Sequence, residues 1–318
     1  MSLNESDTQT HCENIRKCAR ARNKIVILCE GKFQHFNKNP SPQTYRKMEE
    51  MPDANFYKAC VPKWWRQHRP EFFICGDRKD VLNIFFTLLK LHHQPNDVSF
   101  LNPDKLFAIV DLDIQKANIC SSYNFDDTEK IFRDLYNELK VNQSTSFLHR
   151  IWVTGLIHKE AYFLTPDIQP IFENHSNLPH YNNHCLRLEQ IYMHMIGEIC
   201  QDIDLQNNWQ SASQRIQHCS YLNFDEIENF KESWNFTYQN TGDELKKKQM
   251  ILALLTIVKS KKYWENVKPP DDWTGGNERK FREQLSLKIG EFYSCQSSTT
   301  ENHIPFFFRT LYDIVYKS

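Results

Sequence analysis

The amino-acid sequence predicts an α/β fold, a parallel sheet with flanking helices, followed by an all-helical C-terminal half. Three observations predict it. Four short runs, Lys24–Cys29, Phe72–Cys75, Leu106–Val110 and Ile151–Thr154, are almost unbroken apolar segments. Strands buried on both faces of a parallel sheet read this way. Stretches with apolar residues at helical spacing alternate with the later runs, as crossover helices do. After Pro170 the strand-like runs stop and only helical patterns follow.

Residues 1–23 form a polar lead-in with room for a short helix, striped with Arg16, Lys17, Arg20 and Arg22. The first strand runs into Glu30-Gly31. Residues 39–70 hold Pro40, Pro42, Pro52, Pro62 and Pro70, too many for one long helix, and read as an insertion of short helices and turns. The second strand stops at Gly76. Val81, Leu82, Phe85, Leu88 and Leu89 then mark a helix over 79–91. The third strand ends in Asp111-Leu112-Asp113, a helix is expected over Asp127–Lys140, and the fourth strand leads to His158-Lys159-Glu160. The expected domains are 1–170 and 171–318, the second built from helices at 184–203, 222–236, 242–264, 277–293 and 304–317. Thr241-Gly242-Asp243 suits the start of one helix and Pro305 the first turn of the last.

Composition narrows the function. With 40% hydrophobic residues the chain can bury a large core, and only 8 glycines argue against a loop-dominated fold. A net charge of -1 excludes a wholesale basic protein, so any nucleic-acid contact must come from patches. The ten cysteines have no Cys-x-x-Cys pair, and His11-Cys12, His184-Cys185 and His218-Cys219 lack zinc-ligand spacing. They read as reduced thiols of a cytoplasmic protein. No apolar stretch reaches transmembrane length.

Glu30, Asp111 and Asp113 all follow the ends of buried strands, where open α/β sheets bind ligands. Carboxylates gathered there repel one another unless a cation lies between them, which points to Mg²⁺, with Mn²⁺ as its substitute. An acid at a strand end also serves as a helix cap or turn former, and that reading stays open for each.

The order of these features resembles the toprim domain of type IA topoisomerases, primases and OLD-family nucleases. A Glu ends the first strand (Glu30), and Asp-x-Asp ends the third (Asp111, Asp113). A Gly followed by a basic residue comes after the second (Gly76, Lys79), and His158-Lys159-Glu160-Ala161-Tyr162-Phe163-Leu164 after the fourth. The resemblance covers about residues 24–165. OLD-type domains often carry an acid four residues after the Glu, and here that residue is Gln34.

The resemblance implies a metal-dependent nuclease. Asp111 and Asp113 would hold Mg²⁺, Glu30 would act as general acid/base or bridge a metal, and Glu160 would complete a second site. Lys79 or Lys159 would stabilise phosphate charge, and His158 reads as structural. The chain has no Walker A pattern, so it lacks the ATPase half of OLD-type proteins. It is then similar to the toprim effector of PARIS-like anti-phage defence systems, which implies a separate partner ATPase and a helical half for docking or homodimerisation.

Basic residues interleaved with aromatics at 16–24, 58–79 (with Trp64 and Trp65) and 246–268 suit a phosphate backbone with stacked bases. The segment 58–79 leads into the second strand and ranks first as the substrate contact. Two other readings remain. One is an Asp-x-Asp glycosyltransferase, which leaves Glu30-Gly31 unexplained; the other is a toprim-fold interaction subunit without turnover.

Overall fold

The computed structural model describes residues 3–31, 52–92, 99–120 and 123–317. Gln34 and positions 39–51 of the expected insertion lie outside the described residues. Strands β1 (Val26–Cys29), β2 (Glu71–Ile74), β3 (Leu106–Val110) and β4 (Ile151–Val153) form one sheet in the order β2-β1-β3-β4. Every neighbouring pair is parallel. All four strands are buried along their whole length, which is why their sequences do not alternate. Glu71 is the polar exception, and Lys24 (3.3 Å) and Arg20 (3.7 Å) neutralise it.

The chain leaves β1 towards β2 on one side and returns to β3 on the other. The connections therefore diverge between the C-terminal ends of β1 and β3, where a crevice opens in such sheets. Glu30 follows one of these strands and Asp111 the other.

Helices α1 (Glu5–Arg16), α2 (Pro52–Cys60), α3 (Arg78–His92) and α4 (Thr128–Leu135) accompany the sheet. Asn4 caps the first through Asp7 N–H, and Asp127 caps the fourth through Lys130 N–H. The helix expected over Asp127–Lys140 stops at Leu135 and turns into a small hairpin, Tyr136–Asn137 with Lys140–Val141. Tertiary contacts overrule the helical spacing there. His303 Nε2 donates to the Leu139 carbonyl at 2.5 Å, and Val141 N–H to the Thr300 carbonyl at 2.8 Å. Both turn residues, Glu138 and Leu139, take positive φ.

The second half contains α5 (Leu188–Glu198), α6 (Ile227–Asn240), α7 (Glu244–Ile257), α8 (Glu278–Cys295) and α9 (His303–Tyr316), with shorter turns between. Within the expected start Thr241-Gly242-Asp243 it is Asp243 that caps α7, accepting from Leu245 and Lys246 N–H. The helix expected from 184 begins at Leu188, because His180–Tyr181 pairs with His184–Cys185 across a left-handed Asn182-Asn183 turn. Strands of two residues are too short to leave a period in the sequence.

The two halves share one hydrophobic core. Phe56 of α2 meets Phe163 at 4.8 Å, Phe163 meets Trp264 at 4.9 Å, and Trp152 of β4 meets Phe307 of α9 at 5.1 Å. Helix α8 can lie close on α2 because residue 290 is glycine. A Cβ there would fall 2.6 Å from Ala59 Cβ and 3.0 Å from the Phe56 carbonyl oxygen. Among the described residues no helix is long and apolar enough to cross a membrane.

Candidate active site

Glu30 and Asp111 are joined directly. The Asp111 backbone N–H donates to Glu30 Oε1 at 2.7 Å, across the gap between the two strand ends. Burial, then the Asp111 charge, pushes the Glu30 carboxyl well above its ordinary range. Burial also raises Asp111 to about 6, with Glu160 adding to the rise and His158 and Lys159 opposing it. The Lys159 backbone N–H donates to Asp111 Oδ1 at 3.0 Å and fixes its carboxylate.

Asp113 behaves differently. Its backbone is left-handed (φ 54°), and its side chain accepts from its neighbour Ile114 N–H at 2.7 Å. Burial opposes its charge, but His158, this N–H and Arg78 outweigh burial and hold its pKa down at about 2. His158 Nε2 lies 3.8 Å from Asp113 Oδ1, and Arg78 Nη2 lies 3.8 Å from Oδ2. Burial disfavours the His158 cation, but Asp113, Asp111 and Glu160 together raise its pKa above the ordinary value. Glu160 faces the Lys159 ammonium at 3.6 Å.

The loop carrying the two aspartates is tied down on three sides. Leu112 N–H donates to Thr154 Oγ1 (3.0 Å) and Asp113 N–H to the Ile157 carbonyl (3.0 Å), anchoring it to the segment after β4. Arg78 donates to the carbonyls of Leu112 (2.7 Å) and Gln115 (2.5 Å). Arg215, buried in the helical half, donates to the Asp113 carbonyl at 2.8 Å while its guanidinium grips Glu129 at 2.7 Å.

Arg78 takes the inward position beside the expected Lys79, which is exposed. Gly76 has φ 94°, and Asp77 and Asp80 accept each other's backbone N–H, so the turn delivers the first residue of α3 to the aspartate loop. The adjacent basic pair was visible in the sequence, but which of the two faces inward depends on this cap. Arg215 gave no signal, since it lies 102 positions from Asp113. His158, read as structural, stands among the acids.

The six expected residues thus divide. Glu30 and Asp111 form a close pair. Asp113 and Glu160 stand near enough for their charges to act on it, Lys159 orients it, and Lys79 lies outside. Among the described residues no group of three or more acidic, imidazole or thiol side chains is arranged to hold a metal ion. Mg²⁺ commonly takes only one or two protein carboxylates and completes its shell with water and substrate phosphate. The coupled pair Glu30 and Asp111 has the donor chemistry for that mode. A separate pocket of about 290 Å³ lies in the helical half between Gln206, Trp209 and Asp225–Glu228. Its three carboxylates would repel a phosphate.

No family model, curated protein or solved structure matches the chain. The functional reading therefore rests on the site.

Proposed function

We propose that this protein is a metal-dependent phosphodiester endonuclease acting on nucleic acid, RNA or DNA, at the Glu30 and Asp111 centre. The observation that carries the reading is the joining of these two acids at the sheet's switch point, where the Asp111 N–H reaches Glu30 Oε1 at 2.7 Å and burial disfavours the charge of each carboxylate. Mg²⁺ or Mn²⁺ bound there would neutralise phosphate charge and activate water. Asp111 is largely ionised at neutral pH and suits metal ligation. Glu30 keeps its proton more readily and suits proton transfer to or from a reacting oxygen. Lys159 orients Asp111, and Arg78 holds the loop in place. A partner ATPase, a role as a defence effector and homodimerisation belong to the same proposal.

The reading as a subunit without turnover draws on one observation, the neutralisation of Asp113 by Arg78 and His158. Incubation of the purified protein with tRNA, single-stranded DNA and duplex DNA, in Mg²⁺ or in EDTA, separates the two. Cleavage of at least one substrate, abolished by EDTA, Glu30→Ala and Asp111→Ala, supports the nuclease. Intact substrates throughout, even with a cognate ATPase present, would leave the non-catalytic reading.

A further inference from the structure

We propose that a second surface, at the opposite end of the sheet from the acid centre, binds single-stranded nucleic acid by base stacking. It rests on the nuclease reading only for the class of substrate. Trp64 and Trp65 stack in parallel, with centroids 6.0 Å apart and planes 6° apart. Tyr312 of α9 meets both edge-on at 5.1 and 5.3 Å, and Tyr316 continues the ladder at 5.1 Å from Tyr312. Arg309, Tyr312 and Tyr316 are spaced to share one helix face.

The inner rung is buried and the outer ones are open. Trp65 is 2% exposed, whereas Trp64 is 43% and Tyr316 36% exposed. Cations sit over the open rings, Arg309 at 5.5 Å from Trp64 and Lys105 at 5.4 Å from Tyr316. Asp313 pairs with Arg309 and Lys317, while Lys63 and Arg66 beside the tryptophans are exposed. Exposed planar rings flanked by cations suit a strand of bases and phosphates; a duplex hides its base faces.

The location gives the surface a separate role. Lys105 immediately precedes β3 and Asp111 immediately follows it. At 3.3 Å per strand residue the two ends lie about 20 Å apart. A strand stacked at the helical rise of about 3.4 Å per nucleotide would contact both with about six nucleotides. The surface would hold the substrate strand away from the acids.

Fluorescence anisotropy of the full chain with labelled dT12 and rU12, in EDTA, tests the surface without turnover, and the two probes distinguish DNA from RNA. Trp64→Ala should weaken binding about tenfold, as loss of one stacked base does. Trp64→Phe should retain most of it. Lys105→Glu should lower the salt dependence by about 0.7 in slope. Tyr316→Ser, at the exposed end, decides the case if Trp64→Ala lowers the melting temperature. Affinity unchanged in these variants overturns the proposal, as does the absence of oligonucleotide binding, which would leave the face to a protein partner. Patch-dependent binding without cleavage by the wild type, even with a cognate ATPase present, refutes the nuclease reading alone. Cleavage with patch-independent binding refutes this one alone.

Discussion

The backbone N–H of Asp111 donates to Glu30 Oε1 at 2.7 Å, tying β1 to β3 where the sheet's connections diverge. The bond steadies one carboxylate with the backbone of the other, yet leaves the two side chains repelling. Burial raises the pKa of both, with the Asp111 charge adding to the rise at Glu30, and this gives the metal-free protein a definite response to pH.

A carboxyl whose folded pKa lies above its unfolded value stabilises the protein fully only below the unfolded pKa. That contribution is lost as pH rises through the folded one. The pair's contribution to stability in EDTA is therefore expected to fall from about pH 4, the unfolded value, through about 6, where Asp111 ionises, and further as Glu30 follows. Asp113 has the opposite sign, since its pKa is lowered to about 2; it adds stability above the unfolded value that is lost as pH falls through 2. Glu30→Gln should flatten the upper part of the decline. Denaturant melts across the range check it, and identical profiles for wild type and variant would count against the coupling.

Arg215→Met should destabilise the protein by up to about 3 kcal/mol, because it leaves the buried Glu129 carboxylate to the half-exposed Arg133, 3.4 Å away. The side chains of the pair are 1% and 8% exposed. Adding Glu129→Leu should recover much of the loss. Urea midpoints of the two variants decide it, and a double variant no more stable than the single one would place the cost elsewhere.

Gly76→Ala should cost about 1–3 kcal/mol, from the left-handed backbone alone. Its Cβ would also lie 2.3 Å from Asp80 Oδ2 and disturb the cap that aims Arg78. Thermal melts measure the loss, and a neutral substitution would mean that the turn relaxes freely.

Arg78→Ala should cost about 1.5–3 kcal/mol or more, since it removes charge-assisted bonds to the Leu112 and Gln115 carbonyls. Lys79→Ala, at an exposed position, should stay within about 0.5 kcal/mol. Equal effects from the two would show that the inward residue has been misassigned.

The four strands and the acid-tipped ends were legible because a strand buried on both faces carries an unbroken apolar run. Helices α3 and α8 were legible from their patterns, and α7 from the Thr241-Gly242-Asp243 start. What escaped depended on distant partners. Leu139 leaves the expected helix because His303 takes its carbonyl. Arg215 joins the aspartate loop from the other half of the chain, and Trp65 packs on α9, at the sheet end away from the acids. Residue type located the acids, but not which of them pair. Asp111 meets Glu30, while Asp113, two positions on, turns to Arg78 and His158 because its backbone is left-handed.

The most direct test of the central claim is calorimetric titration of Mg²⁺ and Mn²⁺ into the wild type, Glu30→Gln and Asp111→Asn. Saturable binding is expected in the wild type, with proton release at neutral pH as Glu30 ionises, and loss of binding in both variants. Absence of binding in the wild type, or equal binding in all three proteins, would contradict a divalent-cation centre at Glu30 and Asp111.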